Sequence, residues 1–411
     1  MYSSRLSALL GVAVLTLSAC ASASTSGGTN PDRAGSPVSL PTVTAVGWRP
    51  VSASISVSNA AQLLRVGSLL GDTVTVNRLS FAHQSPAVLS QDGSGLVNDW
   101  NLQTGQRSFA LTPAGAVLLA TFTADDQQIV TVGFDNQIRT WKASDGSPIS
   151  STPLGTAGAN DAIAASDGSA VAVGHNDGTV WVWRNFPARA PTFKLDTAAG
   201  HLIRALAFSP GGKQLASIAT DNQVHLWDGQ TGAALASVPS DGDMAPLAIT
   251  FSPDGSLFAV AVGATVIVYD SASVAIRFSV KEADLAGNRG MGFSADSRYL
   301  AAGGSGNFVY VWQTSDGQRI AQLPGHNGQF NGLAWSPRPD TPLLITASPS
   351  LTGGVWLWNA QTFSSTTGNY QRGALNAPGE PINNAFWSPD NQRIITTDVR
   401  GLMTVWGIPA P

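Results

Sequence analysis

Side chains suited to catalysis or metal binding are few in this chain of 411 residues and stand far apart. Five histidines are spread along it: His83, His175, His201, His225 and His326. None has a second metal ligand at a known spacing, and Asp241 and Asp243 offer too few oxygens for a calcium ion. The sequence contains neither a Gly-x-Ser-x-Gly nucleophile motif nor a phosphate-binding loop. We therefore predict no metal, no cofactor and no catalytic residues. Carboxylates that are distant in sequence could still meet in the folded chain, so an enzyme is kept as an alternative.

The one cysteine, Cys20, follows an apolar N-terminal segment. Met1 to Arg5 carry a positive charge, and the uncharged run from Leu6 to Leu17 is twelve residues long. A permanent membrane-spanning helix needs roughly 20 residues, so this layout is typical of an export signal. No later segment holds about 18 uncharged apolar residues, and we expect no transmembrane span.

The residues before Cys20, Leu17-Ser18-Ala19, resemble the lipobox of bacterial lipoproteins. This resemblance implies cleavage before Cys20 and attachment of a diacylglyceryl group to its thiol. Residues 1–19 would be the signal peptide, and residues 20–47 the lipidated cysteine and a flexible tether rich in Ala, Ser, Thr, Gly and Pro. The acyl chains would anchor the protein, since each buried CH₂ contributes about 0.8 kcal/mol. Two alternatives are cleavage after Ala23 with free secretion, and a cytoplasmic protein whose N-terminus only resembles a signal.

An aromatic marker recurs through the rest of the chain, near the end of short apolar segments. The markers are Trp100, Trp141, Trp183, Trp227, Tyr269, Trp312, Trp358 and Trp406, and they lie 41 to 48 residues apart. Such a period is typical of repeat proteins. The 43 glycines, 12 tryptophans and a charged share of only 12% agree with one domain of small repeated units. The net charge of −4 gives no attraction for phosphate, so we do not expect a nucleic-acid partner.

The fourth unit shows the order within a repeat most clearly. Ala205 to Phe208 form a first strand, Ser209-Pro210-Gly211-Gly212 a turn, and Gln214 to Ile218 a second strand. After the turn at Asp221-Asn222, Val224 to Asp228 form the strand that carries the marker. Tight turns between short alternating segments predict hairpins, so the predicted fold class is all-β.

These units resemble the WD40 family of β-propellers. The motifs that carry the resemblance are Gly200-His201, Ser209-Pro210, Asp221, Trp227-Asp228, Tyr269-Asp270 and Gly325-His326, and the match covers residues 60–411. The resemblance implies blades of four antiparallel strands that are stable only when packed on their neighbours. It also implies a buried hydrogen-bonded network in each blade. Only the fourth unit has all the parts of this network, which are His201, Ser217, Asp221 and Trp227.

The two ends of the repeat region predict how the ring closes. The eighth unit ends soon after Trp406, with three strands and an exposed edge. Leu63 to Val66 form a strand without a blade of its own, and pairing with the last blade would close the ring. We therefore predict an eight-bladed β-propeller of four-stranded antiparallel blades over residues 48–411. Seven blades are the alternative, if one weak unit stays outside the ring.

Residues at the start of each first strand should surround the mouth of the central channel. The candidates for partner binding there are Arg78, Arg204, Arg289, Phe330, Asn331 and Asn384. Arg and aromatic residues often anchor protein interfaces. We therefore predict a monomeric propeller that binds a protein or peptide partner. It would be anchored through Cys20 to the bacterial cell membrane or outer membrane, facing the extracytoplasmic side. The alternative is a cell-envelope hydrolase or lyase, or a glycan-binding protein, with its site at the channel mouth.

Overall fold

The computed structural model describes residues 47–410, except for 73, 185, 187–189, 198, 241–245, 286–289, 307, 325–331, 349–353 and 361–380. These residues belong to the second of two compact units, residues 34–411. Cys20 and the predicted signal peptide lie outside the described residues. The described residues form 32 β-strands and three short 3₁₀ turns, Ala60–Gln62, Pro210–Gly212 and Ala283–Leu285. None of their helical segments is long and apolar enough to cross a membrane.

The strands form eight antiparallel sheets arranged as blades, and within each blade they follow chain order from the inner strand outward. Two strands precede the blades: β1 (Val51–Ala53) and β2 (Leu64–Leu69). Blade 1 comprises β3 (Val76–Phe81), β4 (Ala87–Asp92), β5 (Val97–Asn101) and β6 (Arg107–Leu111). Blade 2 comprises β7 (Val117–Phe122), β8 (Gln128–Gly133), β9 (Gln137–Lys142) and β10 (Pro148–Pro153). Blade 3 comprises β11 (Ala159–Ala164), β12 (Ala170–His175), β13 (Thr179–Arg184) and β14 (Phe193–Asp196). Blade 4 comprises β15 (Ile203–Phe208), β16 (Gln214–Ala219), β17 (Gln223–Asp228) and β18 (Ala234–Pro239).

The second half of the ring repeats this order. Blade 5 comprises β19 (Pro246–Phe251), β20 (Leu257–Val262), β21 (Thr265–Asp270) and β22 (Ile276–Lys281). Blade 6 comprises β23 (Gly290–Phe293), β24 (Tyr299–Gly303), β25 (Val309–Gln313) and β26 (Arg319–Leu323). The described strands of blade 7 are β27 (Gly332–Trp335), β28 (Leu343–Ala347) and β29 (Val355–Asn359). Blade 8 comprises β30 (Ile382–Trp387), β31 (Arg393–Asp398) and β32 (Met403–Pro409).

A hydroxyl residue followed two positions later by aspartate shapes the turn after many inner strands. The hydroxyl of Ser252 donates to Asp254 (2.6 Å) and accepts the amide of Leu257 (2.9 Å). Other blades repeat this arrangement. Gly255 and Asn391 occupy the same position in two such turns and have φ of 72° and 58°. Glycine and asparagine tolerate this conformation best, which confirms the turns predicted from the sequence.

Each blade interface contains one hydrophobic cluster, and the marker aromatic lies between its own blade and the preceding blade. Trp183 of blade 3, for example, shares a cluster with Val130 and Val132 of blade 2. The eight marker side chains are at most 9% exposed. Burial of one tryptophan contributes on the order of 4 kcal/mol. Each marker is buried only because the preceding blade covers it. The spacing of the markers in the sequence therefore corresponds to one blade interface per repeat.

The N-terminal strands close the ring on blade 8. β2 pairs antiparallel with β32, from Leu64 opposite Gly407 to Leu69 opposite Met403. β1 pairs with the end of β32, where Val51 lies opposite Pro409. The inner strand β3 contacts β30 on one side and β7 on the other. The prediction of eight blades closed by an N-terminal strand is therefore confirmed, and the seven-bladed alternative does not hold.

Candidate functional site

The inner strands carry one extra residue near their start. In six blades of the described structure the register with the second strand shifts there, which is a β-bulge. The bulged residues are Asn77, Leu118, Asn160, Arg204, Leu247 and Asn383. Arg204 is thus the extra residue of β15, whereas Arg78 and Asn384 come one position after the bulge. The predicted partner-binding residues therefore occupy two neighbouring positions with different surroundings.

Arg78 lies within the channel and reaches from blade 1 to blade 3. Its Nη2 is 3.8 Å from Oδ1 of Asp161, and its Nη1 donates to the carbonyl oxygen of Ala162 (3.2 Å). Asp161 also accepts the amide of Leu206 in blade 4 (2.9 Å). Burial raises the pKa of Asp161 above its usual value, although the nearby Arg78 lowers it. One ion pair and its hydrogen bonds therefore connect three blades at the channel.

A cavity of about 530 Å³ lies beside the inner strands of blades 8, 1, 2 and 3. Arg78 and Ser80 of β3, Thr121 of β7, Ile163 of β11 and Phe386 of β30 line it. The hydroxyl of Ser80 donates to that of Thr121 (3.3 Å). The walls therefore combine one guanidinium, paired hydroxyls and large apolar groups, a combination typical of small-ligand sites.

The cavity reaches the turns that join the inner strand to the second strand in blades 1, 3 and 8, and we call this side of the ring the turn face. His83, Ser166 and Pro389 are exposed there and line the cavity. The imidazole Nδ1 and the amide of His83 both contact Oδ1 of Asp126 in blade 2, at 3.1 and 2.9 Å. Burial acts to raise the pKa of Asp126, but hydrogen bonds from His83 and Gln84 hold it below its usual value. This cavity therefore lies toward the turn face. The inner strands start on the opposite face of the ring, which we call the entrance face.

The other predicted partner-binding residues have separate positions. Arg204 is exposed at the start of β15, on the entrance face. Asn384 packs against Gly332 of blade 7, where an added Cβ would collide with Oδ1 of Asn384 and displace that side chain. Three candidates lie outside the described residues: Arg289, Phe330 and Asn331.

Among the described contacts, only one hydrogen bond joins two of the four residues of the predicted blade 4 network. Nε1 of Trp227 donates to the hydroxyl of Ser217 (3.2 Å). Asp221 contacts Nε2 of His225 (3.1 Å). His201 is exposed, which corrects the expectation that it is buried. His225 lies four residues after Asp221 in the same hairpin, so its imidazole reaches the carboxylate that the resemblance assigned to His201.

Blade 1 contains a network that the repeat motifs do not reveal. Trp100 donates to the hydroxyl of Ser90 (2.9 Å), and this hydroxyl donates to Asp72 (2.9 Å). The amide of Asn98 also donates to Asp72 (2.9 Å). Burial raises the pKa of Asp72 to about 6, although these hydrogen bonds lower it. The sequence feature that indicates this network is Gly71-Asp72. It lies before β3, at the position where the resemblance to WD40 repeats implies Gly-His.

Exposed apolar side chains lie on the entrance face of blades 8, 1 and 2. Val74, Phe134 and Val399 are 41, 60 and 42% exposed. The hydroxyl of Thr75 donates to the carbonyl oxygen of Val399 (2.8 Å), which joins blade 8 to the loop before blade 1. The amide of Phe134 donates to the carbonyl oxygen of Ala116 in the loop before blade 2 (3.0 Å). We call Val74, Phe134 and Val399 the entrance patch. Exposed apolar groups on neighbouring elements often mark interaction sites.

Among the described residues, no three His, Cys, Asp or Glu side chains lie close enough to hold a metal ion. Among the described inner strands only β11 supplies a carboxylate, Asp161, and it is paired with Arg78. The described inner strands thus do not bring two carboxylates together.

The sheets and their interfaces define an eight-bladed β-propeller. A family model described as the anaphase-promoting complex subunit 4 WD40 domain matches residues 165–252. This match and the WD-repeat relatives show that the chain is similar to WD40-repeat β-propellers.

Similar proteins come from several eukaryotes. The WD repeat-containing protein 26 homolog of Arabidopsis thaliana is 23% identical over 288 residues, which cover 68% of this chain and 48% of the relative. The 66 kDa stress protein of Physarum polycephalum is 26% identical over 281 residues, 65% of this chain and 44% of the relative. The cell division cycle 20.1 protein of Arabidopsis thaliana, described as a cofactor of the APC complex, is 23% identical over 253 residues, 49% of this chain and 53% of the relative. The chain therefore spans about half the length of the curated relatives it matches.

A solved structure shows the same fold. The crystal structure of the computationally designed Ika8 protein superposes with a TM-score of 0.68 at 20% sequence identity. The superposition covers 83% of this chain and 98% of the designed chain. At this identity the likeness concerns the fold alone.

Proposed function

We propose that this chain is a scaffold that binds a protein partner at a bacterial membrane. Lipidated Cys20 anchors it on the extracytoplasmic side, and the entrance patch with Arg204 contacts the partner. The observation that carries this proposal is the exposure of Phe134, a large aromatic side chain of which 60% is open to solvent.

Two features support the entrance face as the contact surface. A large aromatic group gains free energy when a partner covers it, and Arg and aromatic residues often dominate protein interfaces. The entrance patch and Arg204 supply both residue types on the same face. One relative is described as a cofactor of a protein complex, and the matching family model describes a subunit of a complex. Partner binding is therefore the activity we assign to this face.

The membrane anchor is supported by the position of the one cysteine. Cys20 follows small residues after an apolar segment, and residues 47–411 contain no cysteine. A domain without thiols suits an oxidising compartment, because it cannot form unwanted disulfides. Attachment to a membrane raises the effective concentration toward other membrane proteins, so a modest affinity for the partner is sufficient.

The partner surface is tested with two matched substitutions in blade 2. Phe134→Glu places a charge in the entrance patch, while Ile149→Glu places one on the outer strand β10, where Ile149 is 40% exposed. Partners are captured from solubilised membranes by chemical crosslinking to the tagged full chain. We expect proteins that are captured by wild type and by Ile149→Glu, and that are lost with Phe134→Glu. Identical partner sets for both variants would show that the entrance patch is not the contact surface.

The anchor is tested by metabolic labelling with a fatty acid. We expect label on the wild-type chain and none on Cys20→Ala, together with release of the variant from the membrane fraction. Equal labelling of the two chains would rule out lipidation at Cys20. Protease treatment of intact cells then tests which side of the membrane the propeller faces.

A further inference from the structure

The cavity at the turn face differs chemically from the entrance patch. Its two ionisable lining residues, Arg78 and His83, are both basic, and no described lining residue is acidic. Their carboxylate partners, Asp161 and Asp126, are not among the lining residues. The cavity therefore presents basic groups to a ligand, while the compensating carboxylates lie outside it.

The guanidinium of Arg78 retains capacity for a ligand. It carries five N–H donors, of which the structure shows one donated to the carbonyl oxygen of Ala162. The contact with Asp161 is long, at 3.8 Å, and 47% of the Arg78 side chain remains exposed. A planar, half-exposed guanidinium with N–H donors still to offer is well suited to bind a carboxylate through two parallel hydrogen bonds.

The remaining walls favour an apolar body beside the anion. Leu119, Ile163 and Phe386 line the cavity together with Arg78. The volume of about 530 Å³ lies within the range of small-ligand sites, and it is far larger than a simple inorganic anion requires. The lining therefore fits a molecule with one charged end and one apolar end.

We propose that this cavity binds a monocarboxylate with an apolar body, with the carboxylate on Arg78 and the body against Ile163 and Phe386. Two sources share this chemistry: a free organic acid, and the C-terminal residue of a peptide. The site is separate from the entrance patch, so it is independent of the partner proposed for that face.

Four probes test the proposal on the solubilised full chain: phenylacetate, phenylacetamide, and a short peptide ending in phenylalanine with a free or an amidated C-terminus. Binding is measured by isothermal titration calorimetry and by saturation-transfer NMR. We expect binding of at least one acid and about tenfold weaker binding of its amide, since the neutral amide cannot form the charge-assisted hydrogen bonds that a carboxylate accepts from Arg78. Binding of phenylacetate alone identifies a small acid as the ligand class, and binding of the peptide acid alone identifies a chain terminus.

Two arginine variants locate the site. Arg78→Gln should weaken binding of the acid about tenfold, whereas Arg298→Gln, in an exposed turn of blade 6 outside the cavity lining, should leave it unchanged. The preference of the wild-type chain for acid over amide tests the proposal even if Arg78→Gln fails to fold. The proposal is overturned if no probe binds at millimolar concentration, if acids and amides bind equally, or if folded Arg78→Gln binds as wild type does.

Discussion

Arg78 and Asp161 form an ion pair between blade 1 and blade 3, with 3.8 Å between Nη2 and Oδ1. Burial raises the pKa of Asp161 and Arg78 lowers it, so Arg78→Gln should raise this pKa further. An acid with a raised pKa in the folded state destabilises the fold as the pH rises through that value. Arg78→Gln should therefore match wild type below about pH 4 and lose at most about 1 kcal/mol at pH 8. Urea unfolding at the two pH values measures this difference.

The double variant Arg78→Gln with Asp161→Asn is the control for this pair. Without an ionisable group at position 161, the pH-dependent part of the destabilisation should disappear. If Arg78→Gln is equally destabilised at both pH values, its effect comes from lost packing and not from the charge of Asp161.

Asp99 is a buried carboxylate in an otherwise apolar interface position. Burial raises its pKa to about 6, although a hydrogen bond with Ser108 lowers it, and its Oδ1 lacks a partner among the described atoms. The equivalent residues, one before the marker aromatic, are valine in four other blades: Val182, Val268, Val311 and Val405. Asp99→Val should therefore stabilise the chain at neutral pH, by up to about 3 kcal/mol.

The pH profile identifies the cause of that gain. The neutral acid form of Asp99 is favoured in the folded state, so its contribution to stability is fully present below pH 3.8 and is lost as the pH rises through about 6. The advantage of Asp99→Val should grow over this pH window and then level off, as measured by thermal unfolding. The pKa of Asp72 is also raised to about 6, but Asp72 is present in both wild type and Asp99→Val, so its contribution cancels when their stabilities are compared. A constant difference between pH 4 and pH 8 would contradict this assignment.

A hydrogen bond from the marker tryptophan to the second strand is present in blades 1, 2, 4, 7 and 8. In blade 3, Nε1 of Trp183 is buried without a partner among the described atoms, and Val173 stands where blade 2 has Thr131. Val173→Thr should supply the acceptor and stabilise the chain by about 1 kcal/mol. The reverse change Thr131→Val, which removes the acceptor of Trp141, should cost about 1–2 kcal/mol. Chemical denaturation of both variants measures the two changes in the free energy of unfolding. If Val173→Thr destabilises the chain, the introduced hydroxyl does not reach Nε1 of Trp183.

The sequence was sufficient to predict the ring because its strongest signal is also its main source of stability. Each marker aromatic fills the interface with the preceding blade, so counting markers counts interfaces. The closing strand was predictable for a related reason. Leu63 to Val66, a segment that is apolar except for Arg65, had no blade of its own, and blade 8 had an edge without a partner.

The site was less predictable because its contacts join blades that are far apart in sequence. Arg78 and Asp161 lie in blades 1 and 3, and nothing local to either residue indicates the other. The bulge at the start of six described inner strands also decides which side chains line the channel, and it separates Arg204 from Arg78. A sequence pattern locates the strand but not its bulge. Asp221 contacts His225 and not, as the resemblance implied, His201. This choice depends on which imidazole lies within hydrogen-bond distance of the carboxylate, and the repeat motif does not specify that.

Asn391, in the turn between β30 and β31, joins blade 8 to the N-terminal segment that closes the ring. Its side-chain amide donates to the carbonyl oxygen of Ile55 (2.7 Å), and the amide of Ile55 donates back to its carbonyl oxygen (2.8 Å). Asn391 is fully buried with φ of 58°. Asn391→Gly keeps this backbone conformation but leaves the carbonyl of Ile55 without its side-chain donor, which should cost about 1–3 kcal/mol. Hydrogen exchange should accelerate first in β1 and β2, because Ile55 lies in the segment that joins these two strands.

Asn222→Gly is the matched control, since Asn222 has φ of 63° in an exposed turn of blade 4. It should change the free energy of unfolding by less than about 0.5 kcal/mol. Asn391→Ala should be less stable than Asn391→Gly by a further 1 kcal/mol or so, because a Cβ is disfavoured at positive φ. Equal stability of Asn391→Gly and Asn222→Gly, with unchanged exchange in β1 and β2, would mean that strand pairing with β32 alone closes the ring. If Asn391→Ala is the least stable variant, Asn391→Gly intermediate and Asn222→Gly the most stable, both the turn conformation of Asn391 and its side-chain hydrogen bond contribute to closing the ring.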